Sequence, residues 1–153
     1  MPGSHYNHQK KKTDAMLIKQ LTNPDSVLLE LRYSNTRSFA ASMNFDVTKE
    51  IETELDKIEE ILEFTKGNGL VIAIDSNSRS TAWHDSQTNQ RGKTLEEYII
   101  SKNIYIVNEE SELTTFQKEI GRSNIDLTIV NNQLLKALKK WEISEEESCS
   151  III

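Results

Sequence analysis

Asp75 and Asn77 stand two residues apart where the apolar run Leu70 to Ile74 ends. A carboxylate at the rim of a buried strand is placed to accept a proton from water, and a neighbouring amide to hold that carboxylate still. The same spacing also reads as an Asx-type turn that closes a strand. A second acid, Asp126, lies within S-N-I-D-L-T-I-V. An acid among apolar neighbours needs a partner or a wet face, because burying it unpaired is costly. Its chemical reading is to orient a histidine or help hold a metal. Its plain reading is an outward-facing strand position.

Other reactive residues offer less. His5 and His8 fall in the polar N-terminal stretch, and their spacing is too weak to claim a metal. Cys149 has no histidine near it in sequence, and Glu145 to Glu147 would raise rather than lower its pKa. Lys10 to Lys12 is too short a run for a localisation signal. Gly67 and Gly69 form no phosphate cradle, since the G-x-x-x-x-G-K pattern is missing.

The elements that must position Asp75 and Asp126 follow from periodicity. Residues 1–13 read as a disordered tail, and residues 14–153 as one domain. Residues 27–46 read as a β-hairpin turning at Ser34-Asn35-Thr36, where Asn35 tolerates left-handed angles. Ile51, Leu55, Ile58 and Leu62 share one face of a helix, with Thr48 as its N-cap and Gly67 past its end. The seven acids from Glu50 to Glu63 make its solvated face. A strand over Leu70–Asp75 follows, then a polar loop through Arg91. Thr94 and Glu97 have capping-box spacing for a second helix that turns Leu95, Tyr98 and Ile99 inward and stops near Asn103. Ile104–Val107 and Thr114–Phe116 are short strands, and Ile125, Leu127 and Ile129 alternate as a further strand. Gln133–Lys140 reads as a helix and Trp141–Ser144 as a last strand. Alternating strands and helices with an early hairpin imply an α/β fold with mixed sheets. In such folds the carboxyl end of a strand is a common ligand site.

Composition limits the function classes. The 153 residues suit a single domain. The five-residue apolar run is the longest, far short of a membrane span. One cysteine excludes an internal disulfide framework and suits a reducing, intracellular compartment. The net charge of −6 argues mildly against a protein that coats nucleic acid by phosphate neutralisation. It leaves room for a nuclease, whose site needs carboxylates.

Taken together, the ordered string I-D-S-N-S-R-S-T-A-W-H-D, T-N-Q-R-G-K-T-L-E-E-Y, T-T-F, G-R-S-N-I-D-L-T-I-V and W-E-I-S-E-E-E-S-C-S resembles the endonuclease/exonuclease/phosphatase superfamily. Within it, the pattern is most similar to the endonuclease domains of insect non-LTR retrotransposons. The resemblance implies a four-layered α/β sandwich, here partial, that cleaves DNA phosphodiesters with a divalent metal, usually Mg²⁺. It implies that Asp75 helps activate the attacking water and that Asn77 orients it and contacts phosphate. It further implies that Asp126 holds a histidine near the scissile phosphate. DNA is the implied partner and the nucleus a possible setting; no oligomeric state is implied.

The sequence also departs from that pattern. The family continues Ser-Cys-Ser with Asp-His, whereas Ser150 is followed by Ile151, Ile152 and Ile153. The family's N-terminal Asn and metal-binding Glu have no counterpart, because Glu30 lies too close to Phe45. Asn44 stands where a phosphate-contacting Tyr is usual. His84 sits at a position the family leaves non-catalytic. The expectation is therefore a truncated endonuclease-like domain, inactive as it stands. An active Mg²⁺-dependent DNA nickase and a non-catalytic binding module are the two other readings.

Overall fold

The computed structural model describes residues 12–108, 116–118, 121–123 and 126–144. In chain order these form β1 (Asp14–Leu17), β2 (Ser26–Tyr33), β3 (Thr36–Asn44), α1 (Ile51–Phe64), β4 (Gly69–Asp75) and α2 (Gln90–Ser101). They continue with β5 (Tyr105–Ile106), β6 (Phe116–Lys118), β7 (Gly121–Ser123), β8 (Asp126–Val130) and α3 (Asn132–Ser144). Six strands make a mixed sheet in the order β1-β2-β3-β4-β8-β5, and β6 pairs with β7 in a separate hairpin. This is the expected α/β class.

Period-two alternation builds the sheet. Leu28, Phe39, Ala41, Met43, Leu70, Ile72, Ile74, Leu127 and Ile129 are all buried. Register pairs Leu28 with Ala41, Phe39 with Leu70, Ala41 with Ile72, and Ile74 with Leu127, so they share one face. α1 and α2 add Ile51, Leu55, Ile58, Ile61, Leu95 and Ile99 to the same continuous core. Phe39 meets Phe64 of α1 edge to face at 5.9 Å. β3 and β4 are parallel neighbours with α1 between them in sequence. Their carboxyl ends therefore lie together at one edge of the sheet, beside the antiparallel start of β8.

Several local expectations are corrected. Ser34, not Asn35, takes the left-handed position of the first hairpin, with φ +56°. Thr48 does not cap α1: its backbone and hydroxyl both bond to the Asp46 carboxylate, and Glu50 occupies the N-cap without a side-chain bond. Glu54 leaves the solvated acidic face and is buried, with Oε2 3.4 Å from Lys57 Nζ. α2 begins at Gln90, four residues before Thr94, because Asn89 is the true cap. Thr94 lies inside the helix and bonds back to the Gln90 carbonyl. Trp141–Ser144 continues α3 instead of forming a strand; Leu134, Leu138 and Trp141 already carry helical spacing in the sequence.

Other expectations hold. Asn103 takes φ +52° just past α2, and Gly67 takes φ +87° past α1. β1, over Asp14–Leu17, pairs antiparallel with β2. The tail up to residue 11, residues 114 and 115 of the strand expected over 114–116, and Cys149 lie outside the described residues. No helix among the described residues is long and apolar enough to cross a membrane.

Candidate active site

Asp75 ends β4, and its register partners are Asn44 at the end of β3 and Asp126 at the start of β8. Cross-strand partners project to the same face, so Asn44, Asp75 and Asp126 form a row across three strands. That row lines a cleft of about 380 Å³, together with Asp25, Ser42 and Thr128. The sequence pointed to Asp75 and Asp126 separately; the register brings them side by side.

The turn after β4 is closed by side chains other than Asp75. Ser76 Oγ accepts from the Ser78 backbone N–H at 3.3 Å, and Ser78 Oγ donates to the Ser76 carbonyl at 2.8 Å. Both serines are fully buried. The turn is thus closed by serines, not by the aspartate. Asp75 Oδ1 is buried with no hydrogen-bond partner among the described residues. An unpaired buried carboxylate oxygen costs stability, so the fold retains it without using it.

Asn77 holds a left-handed backbone, φ +46°, a conformation Asn tolerates better than most residues. Its Nδ2 donates to the Phe45 carbonyl at 2.6 Å. The Phe45 N–H in turn donates to the Asp75 carbonyl at 2.8 Å. The fully buried Phe45 thereby brackets Asp75 and Asn77 from the β3 side. Nothing in the sequence singled out Phe45 for this, because its contribution is made through backbone groups.

The residues that follow in the quoted string are scaffolding for this loop. Trp83 is fully buried, and its indole N–H donates to the Ser78 carbonyl at 3.3 Å. Ser80 caps a short turn by accepting from the Ala82 N–H, and donates to Glu96 at 2.9 Å. Arg79 grips the buried carboxylate of Asp85 through Nε and Nη2 at 3.0 to 3.2 Å; this contact holds the guanidinium above its ordinary pKa. Asn89 Oδ1 accepts from both Gly92 N and Arg79 N, at 2.7 and 3.1 Å. Arg91 reaches the carbonyls of Lys49 and Asp46 at 2.7 and 3.0 Å. The long polar string is therefore a network that pins one loop against α2 and the end of β3.

His84 sits outside the row. It has φ +67°, and its Nε2 is 3.3 Å from the Asn108 carbonyl. Glu30 is a structural acid: its Oε1 accepts from Arg32 and Arg37, both at 2.7 Å, and its side chain is 2% exposed.

The endonuclease-reverse transcriptase family matches residues 33–150, the span that includes Asn44, Asp75, Asn77 and Asp126. The chain belongs to that family. The Pol polyprotein of the type-1 retrotransposable element R1 from Bradysia coprophila is 22% identical over 143 residues, covering 88% of this chain. A putative 115 kDa protein in the element R1DM of Drosophila melanogaster is 27% identical over 143 residues, covering 86% of this chain. The chain spans 14% of the length of each of these relatives. Among solved structures, the endonuclease domain of TRAS1, a telomere-specific non-LTR retrotransposon, superposes with a TM-score of 0.74 at 24% identity. That match covers 86% of this chain and 60% of the TRAS1 chain. An endonuclease/exonuclease/phosphatase family protein from Bacteroides thetaiotaomicron gives 0.51 at 13% identity, over 79% of this chain and 50% of its own. Both structures share the fold.

Metal dependence is general in this family. Among the described residues, no group of three or more His, Cys, Asp or Glu side chains is arranged to hold a metal ion. Asp75 Oδ1 has no hydrogen-bond partner among the described residues. A hard divalent cation such as Mg²⁺ takes six oxygen ligands, some of them water. The described residues alone do not fit a complete metal centre.

Proposed function

We propose that this endonuclease-family chain carries one side of a DNA phosphodiester-cleaving site, with Asp75, Asn77 and Asp126 as its polar residues. We further propose that the 153 residues alone do not turn over. The observation that carries the reading is the buried, unpartnered Asp75 Oδ1 in register with Asp126 at the open edge of the sheet. A fold that closes its own turn with serines and leaves an acid unspent has kept that acid for a ligand or for water.

In this reading Asp75 takes a proton from the attacking water. Asn77, anchored through Phe45, keeps the loop in the conformation that presents Asp75. Asp126 supplies a second negative charge beside it. Mg²⁺, the metal the resemblance implies, would meet the unpaired Asp75 Oδ1 here and would need ligands besides it. Losing several electrostatic partners of a transition state removes several kcal/mol of catalysis, at about 3 kcal/mol for a single donor. DNA is the substrate, consistent with a nuclear setting.

Nicking of supercoiled plasmid by the purified chain, with Mg²⁺ and with EDTA, tests this beside an Asp75→Ala control. The expected result is no Mg²⁺-dependent nicking above that control. Nicking that depends on Mg²⁺ and vanishes in Asp75→Ala would show that the 153 residues complete the site themselves.

A further inference from the structure

We infer that Asn108 is a positioning residue that fixes Asp126 opposite Asp75. The proposal rests on the reading of Asp126 as a site carboxylate. β5 is two residues long and pairs with the far end of β8, Tyr105 opposite Val130 and Ile106 opposite Ile129. One more ladder bond follows, from the Val107 N–H to the Thr128 carbonyl at 2.9 Å. There the backbone ladder stops, still short of Asp126.

The Asn108 side chain carries the ladder on. Its Oδ1 accepts from the Thr128 N–H at 2.7 Å, and its Nδ2 donates to the Asp126 carbonyl at 2.7 Å. One carboxamide thus makes the two bonds a continuing strand would make, and both short distances mark strong bonds. Backbone groups left unpaired beside a sheet are costly, so this amide holds the first turn of β8 to the sheet on the side away from β4. The far side of the same residues pairs with Ala73 and Asp75. Asp126 is therefore held at its carbonyl on the β5 side and stands opposite Asp75 on the other, which keeps it on the row with Asp75. The Asn108 carbonyl also lies 3.3 Å from His84 Nε2, which links this clamp to the loop after β4.

Asparagine is the residue the geometry requires. Aspartate keeps the acceptor for Thr128 but loses the donor for Asp126. Alanine loses both. Glutamine carries the amide one carbon further out.

The test is amide exchange and carboxyl ¹³C NMR on the purified chain with Asn108→Ala and Asn108→Asp. In Asn108→Ala, exchange at the Thr128 amide is expected to rise on the order of tenfold. The amides of Leu28 and Ile74 in the core should keep their protection, and the Asp126 carboxyl signal should shift. In Asn108→Asp, protection at Thr128 should return while the Asp126 signal stays displaced. If Asn108→Ala does not fold, the Asn108→Asp result decides alone. Unchanged Thr128 exchange, a uniform loss across the sheet, or an unmoved Asp126 signal would each overturn the proposal. None of these readouts uses DNA cleavage, so a wrong assignment of Asp126 to chemistry would leave the clamp intact and be seen separately.

Discussion

Asp75 at the end of β4 lies directly opposite Asp126 at the start of β8, two carboxylates paired across antiparallel strands. Like charges in that arrangement destabilise a sheet, by about 0.2 to 1 kcal/mol. Asp75 adds a buried oxygen with no hydrogen-bond partner among the described residues. That oxygen does not help the chain fold. It makes sense if this end of the sheet is kept for a ligand, because functional sites are where a fold tolerates such costs.

Gly92 should be the least replaceable residue of the scaffold. A Cβ built there falls 1.8 Å from the Arg79 carbonyl oxygen, a backbone atom that cannot swing away. Gly92→Ala is expected to cost about 3 kcal/mol, at the upper end of overpacking. Urea unfolding would show it as a lower midpoint. A variant within about 0.5 kcal/mol of the native chain would mean that the loop and α2 are not held as described.

Acid should weaken the fold partly through Glu30. Hydrogen bonding from Arg32, and then from Arg37, holds its carboxyl below the ordinary value of 4.5 against the opposing effect of burial. A depressed carboxylate stabilises the folded chain above its unfolded pKa. That contribution fades as pH falls from about 4.5 through the lower, folded value. Stability measured from pH 6 downward should fall less steeply in Glu30→Gln than in the native chain over that window. Identical slopes would show that the two arginines leave Glu30 unperturbed.

Most of the sheet was legible because β8 alternates with a period of two, β4 is a continuous apolar run and β2 and β3 flank a turn residue, while α1 repeats its apolar face cleanly. The failures come from side-chain bonds that the apolar pattern does not show, most of them between residues a few positions apart. Asn89 starts α2 in a polar stretch because its side chain serves both Gly92 and Arg79. The capping-box spacing of Thr94 and Glu97 pointed to a later start, and the close approach of the Arg79 carbonyl explains the glycine at position 92. Glu54 was expected on a solvated face, yet it is buried beside Lys57. Strand propensity at Trp141–Ser144 gave way to the helical spacing of α3.

The candidate site was half legible. Asp75, Asn77 and Asp126 could be named from their motifs, but register alone sets Asp75 beside Asp126. Phe45 and Asn108 left no signal, since one contributes only backbone groups and the other imitates a strand. The turn reading of Asp75 rested on spacing alone; within that turn, side-chain bonds come from Ser76 and Ser78.

The most direct measurement is the stability of Asp75→Ala by equilibrium urea unfolding, beside Ser78→Ala. If the fold spares Asp75, Asp75→Ala should match or exceed the native chain, by about 0.5 kcal/mol, while Ser78→Ala loses about 1 kcal/mol. If Asp75→Ala instead loses 1 kcal/mol or more, on the order of a lost cap, Asp75 is the residue that ends the strand. The case for an acid held in reserve would then be gone.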